Sequence, residues 1–93
     1  MKNQPKQPRY GRVRTPGEVG DLCRQERARR GLTLADVYEA TGLTTRFMSE
    51  FERGKENASI GRVLRALENL GLDVIVLPRS DADRVLRQWA KDR

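Results

Sequence analysis

The sequence predicts a mainly α fold of four core helices, followed by one β-strand and a tail of helical pattern. Three observations carry this prediction. Thr15, Thr33, Thr44 and Ser59 each stand just ahead of a helix-like stretch, where a hydroxyl can accept an otherwise unpaired backbone N–H. Gly31, Gly42, Gly54 and Gly71 follow those stretches, and glycine is the residue that ends helices without a steric penalty. After Gly71 the pattern changes to LDVIVLPR, a short apolar run rich in β-branched residues and closed by Pro78, which reads as a strand.

Composition bounds the function. At 93 residues and 37% hydrophobic content the chain supports one small domain, which excludes a large enzyme core. It has no histidine and one cysteine, so an internal disulfide is impossible and no metal or cofactor site is expected. Cys23 is expected as a small buried apolar residue. With no Gly-rich phosphate loop and no nucleophile beside a base, catalysis is not expected either. No apolar run reaches the length of a signal peptide or membrane span, so the expected location is cytoplasmic, with no membrane partner.

The formal charge of +6 suggests an anionic partner, and its distribution refines the point. Residues 1–14 carry +5 and residues 79–93 carry +2, leaving −1 for residues 15–78. Affinity for nucleic acid must therefore come from a few placed charges together with the basic ends. Residues 1–14 hold Pro5 and Pro8 and few apolar groups, and are expected to be a disordered basic arm. Such an arm is either a solubilising tail or a strand of positive charge that follows DNA phosphates or enters a minor groove.

Residues 15–71 form the expected domain. Thr15, Pro16 and Glu18 make a capping box for helix one, whose apolar face is Val19, Leu22, Cys23 and Ala28, with Arg24, Arg27, Arg29 and Arg30 toward solvent. Thr33 caps helix two, Leu34 to Ala40, and Gly42 supplies the turn. Thr44 caps helix three, which runs to about Arg53 and buries Phe47, Met48 and Phe51 with Leu43. This is a helix-turn-helix pattern, whose mechanical use is to brace one helix across the DNA backbone and hold the next in the major groove.

On that geometry Thr45, Arg46, Ser49 and Glu50 are the candidate base contacts. Arg46 is the first of them, because a guanidinium pairs in two places with guanine O6 and N7. Glu50 either accepts from cytosine N4 or holds Arg46 or Arg53 in position. Thr44, Arg53, Lys55, Asn57 and Ser59 are candidate contacts to the DNA backbone. Glu52 does not suit a phosphate and is expected to pair with Arg24 or Arg27 of helix one. Ser59 also caps helix four, with Ile60, Val63, Leu64, Leu67 and Leu70 as its core face.

Residues 72–78 hold the strand. One strand cannot stand alone, so Leu72, Val74, Ile75, Val76 and Leu77 are expected to pair with their copies in a homodimer. Twofold symmetry would set two recognition helices roughly 34 Å apart and call for a palindromic operator in double-stranded DNA. Residues 79–93 carry Val85, Leu86 and Trp89 at helical spacing behind a Ser80 or Asp81 cap, and predict a short C-terminal helix.

The stretch TGLTTRFMSEFERGK resembles the Xre/Cro-type helix-turn-helix domain of bacterial and phage repressors, and the resemblance extends over about residues 16 to 71. It implies a lambda-repressor-like fold with Thr44, Thr45, Arg46 and Glu50 toward operator DNA. Two positions depart from the family pattern. Leu34 stands where most members place a glutamine that touches the DNA backbone, and Tyr38 stands where a small alanine separates the two helices. With RALENLGL and DVIVLPR included, residues 16–79 are similar to the HipB-type antitoxins, which pair with a HipA-type kinase toxin and repress their own operon. That resemblance implies an antitoxin whose tail, through Trp89, Leu86 and Val85, docks on a toxin; alternatively Trp89 packs on the strand pair or the partner subunit. A stand-alone Xre-family regulator and a protein-interaction module with weak or lost DNA binding are the other readings.

Overall fold

The computed structural model describes residues 10–92; residues 1–9, most of the expected basic arm, and residue 93 lie outside the described residues. Five helices follow one another: α1 (Pro16–Arg29), α2 (Leu34–Thr41), α3 (Thr45–Glu52), α4 (Ile60–Asn69) and α5 (Arg79–Asp92). Their starts are local hydrogen-bond events. The Thr15 hydroxyl accepts from the Glu18 N–H at 3.1 Å while the Glu18 carboxylate accepts from the Thr15 N–H at 3.2 Å. Thr33 and Asp36 repeat the same exchange at α2, and Thr44 and Ser59 accept from Phe47 and Arg62 at α3 and α4. The chain passes from α2 to α3 at Gly42, whose φ of +80° is open to glycine and strained for other residues.

Cys23, Val37, Leu43, Met48, Phe51, Val63, Ala66, Leu67 and Leu70 form the buried core. Burial pushes the Cys23 thiol up to about 12, so it packs as an inert apolar group. Several expected faces are rotated from their predicted positions. Ile60 and Leu64 are exposed, because α4 meets the core along Val63, Ala66, Leu67 and Leu70. Ala28 is exposed and Gln25 and Glu26 are buried, and Arg27 turns inward from its expected solvent position. A helix face tolerates these exchanges when the buried charges find partners.

They do find partners. Arg27 Nε and Nη2 donate to the two Glu52 carboxylate oxygens, each at 2.8 Å, and Arg27 Nη1 donates to the Leu32 carbonyl at 2.9 Å. This forked pair ties α1 to the end of α3 and selects Arg27 from the two expected arginines, while Arg24 pairs with Asp21. The approach of the two helices depends on Gly20. A Cβ there would lie 2.1 Å from the Phe51 carbonyl oxygen, so α1 rests directly on the backbone of α3.

Glu26, 1% exposed, accepts from Tyr10 Oη at 2.6 Å, Arg29 Nη2 at 2.6 Å and Arg30 Nε at 2.7 Å. The Arg29 hydrogen bond leads, with Tyr10 and Arg30 behind it, and together they outweigh burial and pull the carboxyl down to about 2 from an ordinary 4.5. Its stabilisation is full above pH 4.5 and is lost as the pH falls through 2. Glu26→Gln is therefore expected to lower stability at pH 7, and the deficit should shrink steadily between pH 4.5 and pH 2. Urea denaturation along that pH series checks it; a deficit constant with pH would remove the ionic account.

The expected strand at residues 72–78 is corrected by the structure, since no β-strand occurs among the described residues. Leu72 packs against the core of its own chain, whereas Val74, Ile75, Val76 and Leu77 are exposed. The physical reason is that a strand is defined by its ladder, and a single copy of this run offers no second strand to pair with. The predicted tail helix is present and starts at Arg79, with the Ala82 N–H donating to the Pro78 carbonyl at 2.9 Å. Residues 10–14 hold it. Tyr10 stacks on Trp89 with ring centroids 6.4 Å apart, and Arg12 pairs with Asp83 at 2.6 Å. No described helix is long and apolar enough to cross a membrane.

Candidate nucleic-acid interface

The outward face of α3 begins with its cap. Thr44 spends its hydroxyl oxygen on the Phe47 N–H at 3.0 Å, which leaves the hydroxyl hydrogen able to donate outward. Thr45 is exposed at the first helical position, and one residue further the Arg46 side chain is 88% exposed. On the opposite side Met48 and Phe51 are buried, with Phe47 stacked on Phe51 at 6.0 Å and the Arg62 guanidinium 6.0 Å from the Phe47 ring. Alternation of one buried and one exposed stripe at helical spacing is what turns these polar residues outward together.

Glu50 organises the face. Lys55 Nζ donates to its Oε1 at 3.0 Å and Arg46 Nε to its Oε2 at 3.4 Å. The Lys55 hydrogen bond first, and then that of Arg46, hold the Glu50 carboxyl below its ordinary range. Of the two arginines considered for Glu50, the structure brings in Arg46 and adds Lys55, while Arg53 Nη1 donates to the Ser49 hydroxyl at 2.6 Å. Arg46, Glu50 and Lys55 thus form one linked set, and Ser49 with Arg53 a second, on the exposed side of α3 and the turn after it. Asn57 is exposed beyond that turn, and the Ser59 hydroxyl oxygen caps α4 while its hydrogen can donate outward.

The two departures from the family pattern have separate outcomes. Leu34 is half-buried against the core, so it contributes packing at the start of α2 and no polar contact. Tyr38 is 53% exposed and is not among the residues packed on the core. Besides Asp21, which pairs with Arg24, five of the ten acidic residues of 15–78 are engaged within the chain. Glu26 and Glu52 are buried in internal pairs, Glu18 and Asp36 close capping boxes, and Glu50 is neutralised by two cations.

The sequence does not disclose the close approach at Gly20 or the second contact of Gly54. Gly20 has a signal that could have found it, because a glycine inside a helical pattern between Val19 and Cys23 marks a close approach. Gly54 was read as a helix stop, and its φ of +96° agrees; it also lies against Gly17, where an added Cβ would stand 3.0 Å from the Gly17 Cα. The turn after α3 is thereby seated on the start of α1.

A family model described as a helix-turn-helix domain matches residues 18–79. A protein of Sinorhizobium fredii (strain NBRC 101917 / NGR234), named an uncharacterized HTH-type transcriptional regulator y4mF, is 35% identical over 66 residues, which is 71% of this chain and 87% of the relative. Among solved structures, a HipB variant in an O2 20mer complex matches with a TM-score of 0.69 at 18% identity, over 75% of this chain and 97% of that one. HipB in an O4 20mer complex matches with a TM-score of 0.69 at 17% identity, over 74% and 97%.

Proposed function

The chain belongs to the helix-turn-helix domain family, and from that premise we propose that it is a sequence-specific DNA-binding repressor. The observation that carries the reading is the exposed network on α3, with Arg46 standing out at the N-terminal half of a helix whose other side is buried. Thr45, Arg46, Ser49 and Glu50 read bases, and Thr44, Arg53, Lys55, Asn57 and Ser59 fix the register on phosphates. The mechanism is steric and needs no chemistry: occupancy of a promoter palindrome excludes the polymerase.

The dimer that such a palindrome requires forms through Val74, Ile75, Val76 and Leu77, which expose an apolar run that a copy of itself can cover. The HipB likeness supports a finer reading, in which the protein is the antitoxin of a HipBA-like pair and binds a kinase toxin through α5. Val85 is exposed there, with Leu86 and Trp89 half-buried beside it. A stand-alone regulator is the second reading, consistent with the helix-turn-helix family match. A kinase-like reading frame beside the gene separates the two.

Arg46→Ala is the direct test of the DNA reading. It should lower discrimination at the base pair it contacts by about 1–3 kcal/mol while leaving random DNA little affected. Equal losses on a specific and a random duplex, measured by fluorescence anisotropy, would mark Arg46 as a phosphate contact.

A further inference from the structure

Beyond the α3 face, the two ends of the described chain converge on an open groove of about 280 Å³ lined by Arg12, Val13, Arg14, Leu77, Arg79 and Ala82. Arg12 and Arg14 come from the segment before α1, and Arg79 is the first residue of α5. Three arginines line the groove, and none of its lining residues is acidic. Asp83 takes a hydrogen bond from Arg12, and the positive charges of Arg87 and Arg79 bear on the same carboxylate. An internal ion pair therefore accounts for Arg12. It does not account for Arg14 and Arg79, which have no carboxylate partner for their side chains among the described residues.

Continuity with the α3 face points to what the groove holds. Gly54, between Arg53 and Lys55, rests on Gly17, and three Cα steps of about 3.8 Å bring Arg14 within roughly 11 Å of Gly17. A DNA strand carries one phosphate per about 3.4 Å of helix rise, so Arg14 and the turn fall within a few phosphates of each other. Guanidinium groups suit this use because their planar donors match phosphate oxygens. Val13, Leu77 and Ala82 supply an apolar wall that keeps the arginine stems in place.

We propose that Arg14 and Arg79, beside the Asp83-paired Arg12, form a phosphodiester-binding groove that grips the DNA backbone flanking the segment read by α3. The inference rests on the DNA-binding reading above and adds a contact contributed by the start of α5. It gives the basic ends of the chain a shared site, and it couples the seating of α5 to DNA binding.

The test uses the full chain, a duplex from immediately upstream of its own coding sequence and a random duplex, titrated by fluorescence anisotropy over a series of salt concentrations. Arg14→Gln with Arg79→Gln should weaken binding to both duplexes alike. The slope of log affinity against log salt should become shallower by about 0.9 per lost contact, roughly 2 in total. Lys91→Gln, near the far end of α5, should keep the wild-type slope, and thermal melting should find all variants folded. A double variant with the wild-type slope, while the wild type binds normally, overturns the groove and leaves the α3 reading intact. A wild type that binds neither duplex overturns both.

Discussion

Gly20→Ala is expected to destabilise the protein by about 3 kcal/mol or more, a loss of roughly 10–20 °C in melting temperature for a domain of this size. Helix propensity alone predicts the opposite, since alanine is favoured over glycine in a helix interior by about 1 kcal/mol. Geometry decides the sign. The added Cβ would stand 2.1 Å from the Phe51 carbonyl oxygen and 3.1 Å from the Glu52 Cα and carbonyl carbon. All three are backbone atoms of α3, so no rotamer change relieves the clash, and α1 must move away from the helix it supports. The same displacement disturbs the Arg27–Glu52 pair and the seat of Gly54 on Gly17. DNA affinity should therefore fall together with stability. A Gly20→Ala protein with an unchanged urea midpoint would refute the close packing of α1 on α3.

Glu52→Gln is the second large effect, expected at about 3–5 kcal/mol because it leaves the Arg27 guanidinium buried with half of its partner's charge-assisted bonding gone. Arg27 and Glu52 side chains are 16% and 5% exposed, so water does not take over the lost interaction. Arg27→Met alone should cost a similar amount for the mirror-image reason. Together, Arg27→Met with Glu52→Leu should recover much of the loss, since an apolar pair removes both charges from the interior. The double-mutant cycle by urea denaturation gives the coupling energy directly. A loss within about 0.5 kcal/mol for Glu52→Gln would class the pair as a surface ion pair.

These two residues mark the limits of what the chain discloses before it is folded. Glu52 was legible as a structural carboxylate because an anion beside a phosphate-binding turn needs another partner. Its partner could be narrowed only to Arg24 or Arg27, which neighbour each other one turn apart on α1. Gly20 carried a signal, a glycine within a helical pattern, but not the identity of the backbone it faces. Glu26 stands among the arginines of α1 at local pairing distance in the sequence. It proved to be a buried acceptor for Tyr10, Arg29 and Arg30, because Tyr10 arrives from 16 residues earlier in the chain.

Trp89 follows the same logic. Its spacing with Val85 and Leu86 predicted a helix, and α5 is that helix, but its stacking on Tyr10 depends on the path of the segment before α1. The run at 72–78 differs in kind. Its composition favours a strand, yet a strand needs a ladder supplied from outside the run, and within one copy the run remains an exposed connection.

By itself, then, the sequence determined where the first four helices begin, where Gly42 and Gly54 turn the chain, and which side of α3 is polar. Each of those depends on hydrogen bonds and steric rules acting over three or four residues. The fifth helix, α5, starts at Arg79, ahead of the expected Ser80 or Asp81 cap. The tertiary structure alone decided that Gly20 admits α3, that Arg27 meets Glu52, that Glu50 links Arg46 to Lys55, and that Arg12, Arg14 and Arg79 share a groove. Those outcomes depend on the rotation of each helix about its axis and on the route of the segments between helices, and close packing of the core sets both at once.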